Sequence, residues 1–135
     1  MKRVIIFFVL IGSITLTLIS NNLPDFKVTD ILVNTDKFIY IKINNDSNFN
    51  FQIRPKLNEI IFLTIYINKI KRAEYKLKYI DKKLFLGNST IFFETNFRAQ
   101  HNLSIKVEIN KVKVIPELNY LNNSMEKILD NNAKR

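Results

Sequence analysis

Oxygen-bearing side chains are concentrated in one short stretch near the end of the chain, from Glu117 to Asn123. Glu117, Asn119, Asn122 and Asn123 could present carboxylate and amide oxygens to a calcium ion, because hard cations prefer oxygen ligands. Alternatively, the same side chains could hydrogen-bond to backbone groups within an irregular loop. A calcium site normally uses several carboxylates, and this stretch supplies only one. We therefore expect a loop that is held together by its own polar side chains, without a metal.

A second candidate site is a basic stretch in which Tyr75 and Tyr79 are interleaved with lysines. Rings that stack on bases, next to cations that meet phosphates, are typical of surfaces that bind single-stranded nucleic acid. In a strand, however, both rings point away from the side that carries Lys76 and Lys78, so we expect the rings to face the core and predict no nucleic-acid partner. The cations then form a solvated basic face, which protects a sheet edge against aggregation or meets an anionic partner. This basic face comprises Lys69, Lys71, Arg72, Lys76, Lys78, Lys82 and Lys83.

The sequence contains no recognisable catalytic arrangement. His101 is the only histidine and there are no cysteines, so we expect no transition-metal site and interpret His101 as a surface turn residue. Neither Gly-x-Ser-x-Gly nor His-Glu-x-x-His occurs, and two glycines in 135 residues cannot form a phosphate-binding glycine-rich loop. We expect a protein that is not an enzyme and uses no cofactor.

The elements that must position these residues begin after an export segment. Lys2 and Arg3 precede Val4 to Ile19, a run of 16 uncharged residues, and a basic segment followed by an apolar one is typical of signal peptides. The run is slightly longer than the usual apolar region of a signal peptide and slightly shorter than the ~20 residues that span a bilayer. Residues 1–20 are therefore predicted to be a cleaved signal peptide or an uncleaved anchor helix. Either way, the rest of the chain is predicted to be exported, whether secreted, periplasmic or displayed at the cell surface.

The net charge of +9 is only partly a property of the exported part. Lys2 and Arg3 are two of the 21 basic residues, and all 12 acidic residues follow them, so the rest of the chain carries +7. A basic balance favours anionic partners such as phospholipid or acidic glycans. The abundance of Ile, Asn, Lys, Phe and Tyr, whose codons are rich in A and T, explains the charge equally well.

Between Pro24 and Leu129 the chain is a succession of apolar or alternating segments separated by polar turns. Leu103 to Ile109 alternates apolar and polar residues with period 2, which indicates a strand with one buried face. Ile60 to Ile67 is apolar or Thr/Tyr on both parities, as in a central strand. About seven short strands with a turn every ~8–12 residues are typical of a sandwich, and about 113 residues after Asn22 suit one domain. The predicted strands cover residues 24–33, 39–43, 60–67, 75–79, 90–95 and 103–109, with a loop or short edge strand around Phe49–Ile53.

The predicted core follows from the same alternation. Phe26 and Val28 share one parity, while Ile31 and Val33 share the other, so the first strand must contain a bulge or kink. Gly87, the only glycine after the export segment, is placed in a turn. The inward positions are predicted to include Val28, Ile31, Ile39, Ile41, Ile43, Leu63, Ile65, Ile67, Leu77, Ile91, Phe93, Leu103, Ile105, Val107 and Ile109.

The segment from Ser124 to Leu129 has two interpretations. It could form a short helix with Ser124 as the N-cap, or, as a resemblance to a known family implies, it could be the last strand, paired with Leu103–Ile109. We favour the strand, because its partner would otherwise expose a long edge. Residues 130–135 are expected to be disordered.

The end of the chain resembles the CARDB domain, the cell-adhesion-related domain found in bacteria. That family closes on an aspartate-ended strand followed by a Glu-x-Asn-Glu-x-Asn-Asn phrase. Here the strand Leu103–Ile109 and the phrase Glu117–Asn123 stand in that order. Asn110 stands at the position of the aspartate, and Tyr120 at that of the second glutamate.

The resemblance covers nearly all of the exported part, in five segments that follow the order of the family. It implies a seven-stranded immunoglobulin-like domain, from residue 24 to 129, of the kind used as a binding or spacer module in surface and exported proteins. The four earlier segments are 24–31, similar to Pro-Asp-Leu-x-Val-x-x-Ile; 39–45, similar to a strand that ends in Val-x-Asn-x-Gly; 63–68, similar to a strand that ends in Tyr-x-Asp-Gly; and 84–90, similar to Leu-x-x-Gly-x-Ser/Thr.

Two functions of different class follow from the sequence. The first is an exported, non-catalytic interaction module that binds a protein or a glycan at the cell surface or in the envelope. The second is a membrane-tethered structural or accessory subunit of a larger envelope complex, in which Val4 to Ile19 stays uncut.

Overall fold

The computed structural model of the chain describes residues 22–130. The predicted signal peptide or anchor at residues 1–20 lies outside this part, as does the predicted disordered tail beyond Asp130. Among residues 22–130, no helix is long and apolar enough to cross a membrane.

The described residues form seven strands and three short 3₁₀ helices. The strands are β1 (Phe26–Val33), β2 (Phe38–Asn45), β3 (Ile61–Ile67), β4 (Ile70–Lys76), β5 (Ser89–Arg98), β6 (Leu103–Ile109) and β7 (Ser124–Leu129). The 3₁₀ helices are Pro55–Glu59, Leu77–Tyr79 and Lys82–Phe85. The segment around Phe49–Ile53 is a loop.

The strands form two antiparallel sheets, with the orders β1-β2-β5 and β4-β3-β6-β7. One apolar core takes residues from both sheets, and the rings of Phe26 in β1 and Phe62 in β3 meet edge to face at 5.5 Å. The all-β class and the sandwich-like arrangement of about seven antiparallel strands are therefore confirmed. The segment Ser124–Leu129 is a strand that pairs with β6, as predicted.

The core matches the predicted inward positions closely. Of the predicted set, only Ile67 and Phe93 are half-buried rather than buried, and both still pack against the core. The bulge predicted in the first strand is present, since the register between β1 and β2 shifts between Val28 and Asp30. The alternation missed several core residues that lie in loops, in 3₁₀ helices or at strand ends: Phe26, Phe62, Ile80, Leu84, Phe85, Ala99, Ile115 and Leu129.

The prediction of a strand over residues 75–79 was wrong. The two-residue turn Asn68–Lys69 has positive φ at both positions, 49° and 67°, which is the geometry that reverses a chain directly into a paired strand. β4 therefore starts at Ile70 and ends at Lys76, where the chain turns into a 3₁₀ helix. Tyr75 contacts the Phe93 ring at 4.8 Å, whereas Tyr79, which was expected to face the core, is 64% exposed.

The strand directions divide the connections between two ends of the sandwich. Phe26 pairs with Asn45, which pairs with Ser89, and β3 starts where β6 ends. We call one end the loop end; it holds the entry of the chain and three long connections, at residues 22–25, 46–60, 77–88 and 110–123. The opposite end, the turn end, holds residues 34–37, 68–69 and 99–102. The described chain thus enters the domain at the loop end and leaves β7 at the turn end.

Candidate functional site

The connection between β6 and β7 is organised around the buried carboxylate of Glu117, which is 6% exposed. Its Oε1 accepts hydrogen bonds from the side-chain amides of Asn110 and Asn123, and its Oε2 accepts one from the backbone N–H of Phe26 at 2.9 Å. Burial raises the pKa of Glu117 to about 7, although the three donors oppose that rise. Glu117 therefore joins both ends of its own loop to the start of β1.

Asn110 and Tyr120 stand where the family pattern has carboxylates, and both support this loop. The amide of Asn110 donates to the carbonyl of Ile115 at 2.6 Å and accepts from the Ile115 N–H at 3.2 Å. The hydroxyl of Tyr120 donates to the same carbonyl at 3.2 Å and accepts from the Glu117 N–H. Asn110 has a φ of 44°, a conformation that asparagine tolerates better than most residues. Both side chains therefore bind backbone groups of the loop.

The two remaining candidates of the polar phrase are less central. Asn119 is exposed, and its Oδ1 accepts from the Leu121 N–H at 2.9 Å. The Asn122 amide donates to Asp25 Oδ1 at 3.0 Å, which adds a second contact between this loop and the start of the domain. Within residues 22–130, the Oδ1 atoms of Asn122 and Asn123 are buried without a hydrogen-bond partner, and no group of three or more His, Asp or Glu side chains is placed to hold a metal ion.

The basic face that the sequence predicted is spread along the sandwich. Lys69, Lys71 and Arg72 lie near the turn end, and Lys71 forms an ion pair with Glu74 at 2.9 Å. Lys76 and Lys78 both pair with Glu59, at 2.6 and 2.7 Å, and these two cations lower the pKa of Glu59 to about 2. Lys82 and Lys83 belong to a 3₁₀ helix of the loop end. The seven cations are therefore divided between β4, an edge strand of its sheet, and the two ends.

A groove of about 500 Å³ lies at the turn end, between the β3–β4 turn and the end of β5. Its lining includes Arg72, Arg98, Asn96, Gln100 and Phe97. The guanidinium of Arg98 also lies over the Phe38 ring, at 4.9 Å from its centre, which fixes its position. The sequence pointed to Arg72 alone, because the residues of β5 come from a distant segment.

A larger groove, of about 890 Å³, lies at the loop end. Its lining is mainly apolar, with Phe49, Phe51, Leu57 and Val114 among its residues, and Arg54 and Lys56 stand at the same groove. Asn22 and Leu23 line it too. The sequence did not predict this groove, because the β2–β3 loop and the β6–β7 loop are more than 50 residues apart.

On the outer face of the four-stranded sheet, a charged cluster surrounds Tyr66. Lys111 donates to the Tyr66 hydroxyl at 2.8 Å, and Glu108 forms ion pairs with Lys106 and Lys111 at 2.8 and 2.9 Å. Burial on its own would raise the pKa of Glu108, but the hydrogen bonds from both lysines lower it to about 2. Because Lys106 and Lys111 already pair with Glu108, these three side chains leave a net charge of only one for a ligand.

His101 and Gly87 occupy the positions that the sequence suggested, with one difference. His101 lies in the β5–β6 turn, more than half exposed, with its Nδ1 3.5 Å from a carboxylate oxygen of Asp130. Gly87 lies in a turn, as predicted, but its φ is not positive. It is required instead by close approach, since a Cβ at residue 87 would lie 2.6 Å from the carbonyl carbon of Asn48.

No family model, curated protein or solved structure matches the chain.

Proposed function

We propose that the chain is an exported, non-catalytic interaction module with a CARDB-like, immunoglobulin-like domain. The strand order supports the immunoglobulin-like assignment: the first, second and fifth strands form one sheet, and the third, sixth and seventh form the other. These are the relationships of strands A, B and E and of strands C, F and G in immunoglobulin sandwiches. β4 lies beside β3, at the place where variable-type domains carry an additional strand.

The groove at the turn end is the observation that best supports a binding function. Two arginines, two residues with side-chain amides and one aromatic residue line it: Arg72, Arg98, Asn96, Gln100 and Phe97. Guanidinium groups bind carboxylates and sulfates in a bidentate manner, amides bind hydroxyl groups, and the ring can pack against an apolar sugar face. Within residues 22–130, neither Arg72 nor Arg98 forms an ion pair. The ligand that this chemistry fits best is an acidic glycan of the cell surface.

Binding to defined oligosaccharides tests the proposal. The purified protein should bind oligosaccharides that carry sulfate or uronic acid, and should bind their neutral counterparts at least tenfold more weakly. The double substitution Arg72→Gln/Arg98→Gln should weaken this binding by tenfold or more. Lys82→Gln/Lys83→Gln removes the same charge from the loop end and should leave the affinity within about twofold.

Equal loss in the two double variants would show that net charge, and not the groove, carries the binding. Absence of binding to every acidic oligosaccharide would contradict the glycan proposal. In that case, position-dependent photo-crosslinking from Asn96 to a single protein would indicate a protein ligand at the same groove.

The second candidate is a membrane-tethered accessory subunit. It is favoured by the place where the chain enters the domain. Only two residues separate Ile19, the end of the apolar run, from Asn22 at the loop end. Mass spectrometry of the mature N-terminus separates the two functions: a protein that starts near Asn21 is a free module, and one that retains Met1 is tethered.

A further inference from the structure

The loop end of the sandwich exposes most of the large apolar side chains that the described part of the chain leaves in solvent. Leu121 is 94% exposed and Val112 is 63% exposed, on the same β6–β7 loop. A patch of exposed apolar residues that are gathered at one end of a domain marks a contact surface. The exposed apolar residues of the loop end are Tyr79, Leu86, Val112, Val114, Leu118 and Leu121, whereas Val33, Ile70, Phe92 and Ile128 are scattered over the rest of the domain.

Backbone hydrogen bonds hold these connections together as one surface. The Leu118 N–H donates to the Pro24 carbonyl at 3.0 Å, which joins the β6–β7 loop to the entry of the chain. The Phe51 N–H donates to the Phe85 carbonyl at 2.7 Å, which joins the β2–β3 loop to the β4–β5 connection. The Glu117 hydrogen bonds described above fix the base of the β6–β7 loop. The apolar residues are therefore presented by a rigid support.

Most of the cations that the structure describes at this end of the domain form no ion pair. Within residues 22–130, Arg54, Lys56, Lys82, Lys83 and Lys113 form no ion pair. The acidic residues there are already engaged. Glu59 pairs with two lysines, Asp46 pairs with Lys27 at 3.7 Å, Asp25 accepts a hydrogen bond from the Asn122 amide, Asp81 caps a 3₁₀ helix, and Glu117 is buried. Unpaired cations around apolar side chains are the pattern of a surface that lies on an anionic bilayer, with lysines at the headgroups and apolar side chains below them.

The direction of the chain agrees with this partner. Asn22, at the loop end, follows the apolar run Val4 to Ile19 by three positions in the sequence. The apolar run Val4 to Ile19 thus joins the domain at the same end that exposes the apolar side chains and the unpaired cations. The exposed ring of Tyr79, with the Lys78 Nζ 5.4 Å from its centre, is of the type that is enriched at membrane interfaces.

We infer that the loop end docks on the surface of an anionic phospholipid bilayer. The β6–β7 loop inserts Leu121 and Val112 among the lipids, and Lys56, Lys113 and their neighbours contact the headgroups. The turn end, with the groove of Arg72 and Arg98, then faces away from the membrane. This inference rests on the proposed export for its setting, but it does not depend on which ligand the groove takes.

Site-specific labelling of the full-length chain in vesicles tests the docking. The chain has no cysteine, so Leu121→Cys and Asp36→Cys each accept one environment-sensitive fluorophore, the first at the loop end and the second in a turn at the opposite end. In vesicles that contain phosphatidylglycerol, a water-soluble quencher should reach the label at residue 121 at least tenfold more slowly than the label at residue 36. Equal accessibility of the two labels, or equal protection of both, would overturn the inference.

A charge series in the same assay identifies the headgroup contact. In the Leu121→Cys background, Lys56→Gln/Lys113→Gln should lower the ratio of protected to accessible label by about fivefold for each cation removed. Lys37→Gln/Lys69→Gln removes two cations from the turn end and should change the ratio by less than twofold. Protection that is the same in pure phosphatidylcholine vesicles would contradict the role of the cations. None of these readouts involves an oligosaccharide or the mature N-terminus. The test of docking can therefore fail while the proposed function holds, and the proposed function can fail while the docking holds.

Discussion

The Oε2 atom of Glu117 accepts a hydrogen bond at 2.9 Å from the backbone N–H of Phe26, a residue 91 positions earlier in the chain. Phe26 is fully buried and its ring contacts Phe62 and Phe85, so this one bond connects the β6–β7 loop to the centre of the core. An exposed binding or docking loop needs such support, because the ordering of its residues otherwise costs conformational entropy at the moment of binding.

The raised pKa of Glu117 predicts a pH dependence of stability. The pKa is about 7 in the folded protein and ordinarily near 4.5 in an unfolded chain, so the folded state binds the proton more tightly. The stability that this group contributes is fully present below about pH 4.5 and is lost as the pH rises to about 7. We expect the free energy of unfolding to fall over this range by on the order of 1–3 kcal/mol, measured by urea titration at several pH values.

Substitution of Glu117 by Gln tests the assignment of that pH dependence. The amide nitrogen of Gln would face one of the three donors, so Glu117→Gln should lower the stability by roughly 1–3 kcal/mol. It should also remove most of the slope between pH 4.5 and pH 7. Glu126→Gln, on the exposed side of β7, should retain the slope of the unchanged protein. A slope that persists in Glu117→Gln would assign the titration to another group.

Calcium should have no effect on the β6–β7 loop. Both carboxylate oxygens of Glu117 already accept hydrogen bonds, and the side chains of Asn110 and Asn123 are used to make them. We expect the same melting temperature, measured by circular dichroism, with a chelator and with millimolar calcium. A melting temperature that falls on chelation and recovers with calcium would turn the buried Oδ1 atoms of Asn122 and Asn123 into cation ligands.

Gly87 should resist any substitution that adds a Cβ. In Gly87→Ala the new carbon would lie 2.6 Å from the backbone of Asn48, and backbone atoms cannot move aside as a side chain can. We expect a loss of stability of at least about 1–3 kcal/mol in chemical denaturation, because the β2–β3 and β4–β5 connections must separate. Leu86→Ala, at the exposed neighbouring residue, is the control and should change stability by about 0.5 kcal/mol or less. Equal effects of the two changes would argue against the close approach.

The two faces of the β6–β7 pair should respond differently to truncation of an isoleucine. Ile105 is fully buried, whereas Ile128, which belongs to the strand beside it, is 69% exposed. Ile105→Ala should lower the free energy of unfolding by ~2–5 kcal/mol, and Ile128→Ala by about 0.5 kcal/mol or less. Comparable losses would show that the face of the sheet assigned to solvent is covered in solution.

Most of the fold followed from local patterns in the sequence. The alternation at Ile39–Ile43 and Leu103–Ile109 placed β2 and β6, and the change of parity between Val28 and Ile31 located the bulge of β1. β4 was misplaced because the alternating Tyr and Lys residues of the segment 75–79 also suit a strand. The sequence identified Asn68–Lys69 as a turn, but it did not show that this turn leads directly into a strand at Ile70. Tyr79 is exposed because Leu77 and Ile80 fill the core from a 3₁₀ helix, whose spacing differs from that of a strand.

The candidate surfaces were less predictable, since they are built from segments that meet only in the folded chain. The polar phrase at Glu117–Asn123 identified a loop. The hydrogen bonds of the Glu117 carboxylate with Phe26 and Asn110 could be found only in the folded chain, where β1 packs against β6. Arg72 and Arg98 come from the edge strands of opposite sheets, and their convergence at one groove requires the topology.

The domain receives the chain at the loop end of β1 and releases it at the turn end of β7. A tension applied through those two points would run along the strands, at right angles to the hydrogen bonds between β1 and β2 and between β6 and β7. Under a force along the strands, all hydrogen bonds of a strand pair must break together before the strands separate. A force that pulled the two strands apart from one end would break the same bonds one after another. The Lys127 Nζ, 2.8 Å from the Ile31 carbonyl oxygen and 2.7 Å from Asp30, links β7 directly to β1 across the direction of pull. The architecture is therefore suited to remain folded under a tension applied along its strands.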